Sequence, residues 1–127
     1  MKMNSNEQKM YDRAFQLKNE GKIEESISEF KRVLSEYPHS GISASMIANL
    51  YYSELNEPEK ALPYGRLAID LLPQNETASF CLSLCLFELN RKDEMYSEIK
   101  RYISEGGKLD LYNTLFEEND LSIDDFT

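Results

Sequence analysis

The sequence has no tryptophan, a single histidine, two cysteines, five glycines and four prolines in 127 residues. Each shortage excludes something. One histidine, His39, cannot supply a histidine pair for catalysis. Together with Cys81 and Cys85 it does not make a zinc site, which needs four ligands at characteristic spacing. Two cysteines are too few to staple a secreted domain and suit a reducing compartment. Their residue type leaves two roles open, small apolar core groups or a redox pair. The scarcity of glycine and the lack of alternating β-branched runs argue against strands and hairpins. Basic residues are short as well. Against 23 Asp and Glu stand 14 Lys and Arg, a net charge of −9. Phosphate backbones and anionic membrane surfaces both select a surplus of cations, so neither nucleic acid nor a membrane is an expected partner. No run approaches the ~18 apolar residues of a membrane span, and no apolar secretory core follows the first residues. A cytoplasmic protein is the expectation. Glycine-rich phosphate loops, nucleophile elbows and HExxH are absent. Acids such as Glu29 and Glu98 lie beside Lys31, Arg32, Lys100 and Arg101, as on a solvated helix face. No catalysis, metal or cofactor is therefore expected.

What is present is a period. Pro38 and Pro73 lie 35 residues apart, and each closes a similar stretch, Phe30–Pro38 and Gly65–Pro73. A third copy, Ile99–Gly107, ends in glycine. Glu54-Leu55-Asn56 returns 34 residues later as Glu88-Leu89-Asn90. Between these marks, apolar residues recur at three- and four-residue spacing, as in Ile23, Ile27, Phe30 and Leu34, which is the signature of amphipathic helices. The pattern predicts an all-α chain with helices at about 5–19, 23–36, 42–55, 58–71, 76–89, 92–104 and 109–118. Ser5 with Gln8 has the form of a capping box, Pro58 suits a first helical position, and Asn75 suits an N-cap. Pro63 and Gly65 fall inside the fourth helix, where they predict a kink or loosening, either filled by a neighbour or serving as a hinge. Neighbouring helices joined by short turns pack antiparallel. Stacked pairs then bury a core that no single pair can.

The period and the small/large pattern resemble the tetratricopeptide repeat, a 34-residue helix–turn–helix unit. The first copy, about 7–40, carries Met10, Ala14, Leu17, Gly21, Ser26, Phe30, Val33 and Pro38. The second, about 42–75, carries Tyr52, Ala61, Ala68 and Pro73, with Asn56 for the turn glycine and Gly65 for the aromatic. The third, about 76–107, is degenerate, with Leu82, Leu86, Asn90, Met95, Ile99, Tyr102 and Gly107. The resemblance implies a right-handed α-solenoid of antiparallel helix pairs spanning 1–118 as one domain. Residues 109–118, with Leu111, Tyr112, Leu115 and Phe116 on one face, resemble the helix that closes such stacks. Residues 119–127 are left as a short, frayed acidic tail.

In that family the first helix of each pair lines a concave groove. The corresponding positions are Gln8, Tyr11, Phe15, Lys18 and Asn19; Ser43, Met46, Leu50, Ser53 and Glu54; and Thr77, Phe80, Leu84, Phe87 and Glu88. Phe80 to Leu89 is apolar on nearly every side, so a neighbouring helix, the chain's own C-terminus or a partner must cover Phe80, Leu84 and Phe87. The Lys, Asn and Arg with which some members clamp a terminal carboxylate are missing, since Tyr11, Phe15, Ile47, Thr77 and Cys81 stand at those positions. The expected function is a non-catalytic protein–protein interaction module. It would be an adaptor or small chaperone holding a peptide or amphipathic, basic segment of another protein. The alternative is a stoichiometric, immunity-type inhibitor that covers a basic partner with its acidic surface. Self-association through the apolar stripe is a third outcome. The charge divides unevenly. Residues 109–127 carry −6 of the −9, with Glu117, Glu118, Asp120, Asp124 and Asp125 among them. That end either solubilises the chain or meets a basic partner.

Overall fold

The computed structural model describes residues 2–127, and among them it is all-α, with no strand. Seven helices follow in order: α1 Ser5–Asn19, α2 Ile23–Glu36, α3 Gly41–Asn49, α4 Pro58–Leu71, α5 Glu76–Glu88, α6 Lys92–Ser104 and α7 Asp110–Glu118. From α1 to α6 each helix packs on the next, while α3 also touches α5 and α5 touches α7. Contacts confined to near neighbours make a solenoid-like stack of helix pairs, which the periodic sequence requires if its apolar faces are to be covered.

The helix ends follow from local chemistry. Pro58 opens α4, and Asn75 Oδ1 accepts from the Ala78 amide at 2.9 Å to open α5. At α1 the cap is Asn4, whose Oδ1 accepts from the Glu7 amide at 2.8 Å. Ser5 is already helical, and Gln8 donates instead to Asp12 at 2.8 Å, so the expected Ser5–Gln8 box does not form. A short side chain one residue earlier reached the orphan amides first.

Gly21, Asn56 and Asn90 occupy one repeat position and share the left-handed backbone region, with φ of 78°, 51° and 62°. Each closes the preceding helix. Lys22 N–H donates to the Leu17 carbonyl at 2.9 Å and Arg91 N–H to the Leu86 carbonyl at 2.8 Å. This is the closure that satisfies terminal carbonyls behind a left-handed residue. In the second repeat the equivalent bond spans one residue more, from Glu57 N–H to the Tyr51 carbonyl at 2.8 Å. The numbering shows why. Eighteen positions separate Pro38 from Asn56, but only 17 separate Pro73 from Asn90. The extra residue is taken up in a π-turn at Leu50–Glu54, where Leu55 N–H reaches back to the Leu50 carbonyl at 3.2 Å. The expected single helix to residue 55 is thus a regular α3 to Asn49 followed by one wide turn, the usual form of a one-residue insertion in a helix.

The core is a series of clusters along the stack. Ala14, Ile27, Phe30, Ile47 and Leu50 join α1, α2 and α3. Ala48, Ala61, Cys81 and Cys85, with Ala44, Ala68 and Ala78, let α3, α4 and α5 approach closely. Each fully buried Leu or Ile contributes about 1.5–3 kcal/mol. α4 is assigned as one continuous helix through Pro63 and Gly65. Pro63 and Glu59 are both exposed, so water can reach the Glu59 carbonyl that Pro63 leaves without an amide. Gly65 is buried, and a Cβ there would lie 3.3 Å from Leu82 Cδ1. Leu82 fills the space an aromatic would take, which is the neighbour-filled outcome.

The C-terminal end is folded. Glu76, in the first turn of α5, accepts from the Leu111 and Tyr112 amides at 2.8 and 3.0 Å and so caps α7 from a distance. The Tyr112 hydroxyl hydrogen-bonds Ser79 and Ser83, each at 2.8 Å. Ser79 also donates to Glu98 at 2.6 Å, and Arg101 grips the same carboxylate through two nitrogens. Residues 119–127 are not frayed. A 3-10 turn at Ile123–Phe126 is closed by a Ser122–Asp125 capping box. It buries Phe126, whose ring stacks at 5.1 Å on both Phe116 and Tyr96.

Candidate protein-binding groove

The π-turn, α5 and α7 converge on a half-open hollow of about 180 Å³. Asn49, Tyr52 and Ser53 form one wall. Thr77, Phe80, Cys81 and Leu84 form the floor along α5, and Leu111 of α7 closes the far end. The wide turn positions this wall. Its extra residue displaces Tyr52 and Ser53 from the register they would hold in a regular helix, and local widenings of this kind recur at functional sites.

Of the groove residues expected from sequence, Ser53, Thr77, Phe80 and Leu84 meet at this hollow. Phe80 is half-buried, with its ring edge-on to Tyr112 at 5.4 Å, so the closing helix covers part of the stripe. Leu50 does not face the groove. It is 1 % exposed and belongs to the core between α1, α2 and α3. Ser43 is likewise buried, hydrogen-bonded to Ser40 at 2.7 Å. Met46 and Tyr11 are half-buried against the same core, Tyr11 edge-on to Phe30 at 5.4 Å. Phe15 is exposed, with the Lys18 ammonium 4.9 Å above its ring. Phe87 is the most exposed large apolar side chain, 52 % accessible, with Lys92 5.9 Å over its ring. Glu54 and Glu88 are exposed, each at the C-terminal end of a helical segment lining the hollow. The acidic residues Glu117, Glu118, Asp120, Asp124 and Asp125 are all exposed, on the far end of the molecule formed by α7 and the terminal turn.

Asn49, Tyr52 and Leu111 are not among the groove positions read from sequence, and Cys81 is among them only at a clamp position. Leu111 arrives from a helix outside the repeats. Asn49 and Tyr52 depend on the inserted residue, whose signal was the 18-against-17 spacing. Burial, helped by the Glu88 carboxylate, pushes the Tyr52 phenol above its ordinary value, so it faces the hollow as a neutral donor. Cys81 and Cys85 are free and buried. The Cys81–Cys85 interaction, together with burial, pushes the Cys81 thiol up, and the same interaction pulls Cys85 down.

A second recess lies on another face, between α2, the π-turn and the start of α4. Lys31 donates to the Tyr51 hydroxyl at 2.8 Å there, and Lys60 pairs with Glu57 at 2.8 Å. Among the described residues no group of three His, Cys, Asp or Glu could hold a metal ion, and no helix is long and apolar enough to cross a membrane. No protein-family model matches the chain, and no curated protein is similar to it at a significant level.

Proposed function

We propose that the chain is a non-catalytic protein-interaction module, an adaptor or small chaperone of tetratricopeptide-like repeats. It holds a segment of a partner protein in the groove between the π-turn, α5 and α7. The observation that carries this reading is the hollow itself. Phe80, Leu84, Leu111 and the Tyr52 ring offer apolar surface, while Asn49, Ser53 and Thr77 bring polar groups to the same walls. Apolar surface with a few convergent polar groups is the composition of a recognition site. A cytoplasmic setting agrees with two free thiols in the interior.

The test is capture of partners from a native lysate by the wild-type chain and by Leu84→Glu, identified by mass spectrometry. A specific protein retained by the wild type and lost by the variant, with helicity unchanged, supports the reading. Equal retention refutes it. Phe80→Glu is a poor probe, because Phe80 packs on Tyr112 and its loss would loosen α7.

A second reading, an immunity-type inhibitor of a basic protein, draws support from the folded acidic end. The 3-10 turn holds Asp124 beside a capping Asp125, so these charges have defined positions. A steep fall of association rate with salt, reversed by charge changes at Glu117, Glu118 and Asp120, would favour it.

A further inference from the structure

Resting on the groove reading above, we infer that the occupant is a segment of another protein carrying one bulky apolar side chain next to lysine or arginine. The size of the hollow argues for one anchor. A cavity of roughly 150 Å³ takes a benzene-sized group, and the hollow measures about 180 Å³. That is room for a single Leu, Met or Phe side chain rather than a row of them.

The rim argues for the neighbouring charge. Glu54 ends the π-turn directly after Ser53, and Glu88 ends α5 one turn beyond Leu84. Both sit at the same repeat position, two residues before Asn56 and Asn90. A carboxylate there is unfavourable for the fold, because the helix dipole already makes its C-terminal end negative. Neither segment has a basic residue in its last turn, and neither glutamate has an ion-pair partner among the described residues. The two cations that follow Glu88 in sequence are engaged elsewhere, Arg91 with Glu94 and Lys92 over the Phe87 ring. The Glu88 field reaches the hollow itself, since it contributes to raising the Tyr52 phenol. Two unfavourable, unneutralised carboxylates beside one apolar hollow are complementary to a cationic side chain flanking an apolar anchor. The same charges repel acidic segments.

The experiment pans the intact protein against a random peptide library and measures the enriched peptides by fluorescence polarisation. The expected pool pairs a bulky apolar residue with Lys or Arg. A synthetic peptide from it should bind E54Q/E88Q about two- to thirtyfold more weakly, the range two rim ion pairs allow, and less steeply with salt. Its version with Glu in place of Lys and Arg should not bind. Enriched peptides that are neutral or acidic, or an affinity that E54Q/E88Q leaves unchanged while Leu84→Glu abolishes it, would overturn the charge inference and leave the groove reading standing. Failure to enrich any peptide that Leu84→Glu releases would overturn both. Concentration-dependent dimerisation abolished by Leu84→Glu would also overturn the inference, because a second copy would then be the occupant.

Discussion

Replacing Phe126 with alanine tests how the C-terminal end is held. Phe126 is 3 % exposed and lies among Ile99, Tyr102, Tyr112 and Phe116, stacked at 5.1 Å on Phe116 and on Tyr96. In the middle of a core, a Phe→Ala change costs about 3–5 kcal/mol. The position within the chain lowers that ceiling. Phe126 belongs to a terminal turn that can leave the body without unfolding it, so the loss cannot exceed the free energy of docking that turn. Docking must order residues 121–127 at about 1–2 kcal/mol each, more than the roughly 1.5–3 kcal/mol that each of Phe126 and Leu121 gains by burial, so the ring stacking and the Ser122–Asp125 box make up the difference and leave the docked turn only marginally stable. A net loss of about 1–2 kcal/mol follows, near 4–8 °C in melting temperature at roughly 4 °C per kcal/mol for this chain length. Thermal melts followed by circular dichroism measure the total. Hydrogen exchange should show the Asp124 and Asp125 amides losing protection while α3 and α5 keep theirs. Truncation after Leu121 should cost the same as the substitution. A loss above about 4 kcal/mol would mean the turn belongs to the cooperative core, and no loss would mean it does not dock; either refutes the reasoning.

Other outcomes follow from the same geometry. Glu76→Ala removes the acceptor of two α7 amides, and the expected cost is about 1–2 kcal/mol, read by urea unfolding, with faster exchange at Leu111 and Tyr112. Asn90→Ala places a Cβ-bearing residue without a helpful side chain at φ 62° and should cost about 1–2 kcal/mol, whereas Asn90→Gly should be tolerated. Burial pushes the Tyr112 phenol up, against the opposing pull of its Ser79 and Ser83 hydrogen bonds; Tyr102 and Tyr11 are raised by burial as well. A phenol raised in the folded state stabilises it below the unfolded value near pH 10 and ceases to as pH rises through the folded value. Ionisation of the buried tyrosines and loss of helicity should therefore rise together above about pH 10, and complete titration of all eight tyrosines with helicity intact would contradict it. Deleting Ser53 should restore the 17-residue spacing and a regular helix, keep the fold, and weaken any partner bound at the hollow.

The periodic parts of the molecule were legible because their causes are local. Pro58 and Asn75 start helices by their own backbone and side-chain chemistry, and Ile27 and Phe30 face the core by spacing alone. What escaped was set by distance in sequence. Phe126 finds Phe116 and Tyr96 only after α6 and α7 are placed, so a polar-looking tail conceals a docking aromatic. Leu50 stands at a groove position of the resembled family, but packing between α1, α2 and α3 buries it. Gly65 looked like a weakness in α4, and Leu82 from the next helix explains it. The groove was half legible. Phe80 and Leu84 could be read from one helix, but Asn49, Tyr52 and Leu111 join them through an insertion and a capping helix.

The central claim, that the hollow between the π-turn, α5 and α7 receives the partner, is tested most directly by mapping amide shifts in the labelled protein as a bound peptide is titrated in. The account predicts that the largest changes fall at Asn49, Tyr52, Ser53, Thr77, Leu84 and Leu111, with the flanks at Glu54 and Glu88 following. Changes centred on Glu117–Asp125, or on the recess around Lys31 and Lys60, with the hollow silent, would contradict it.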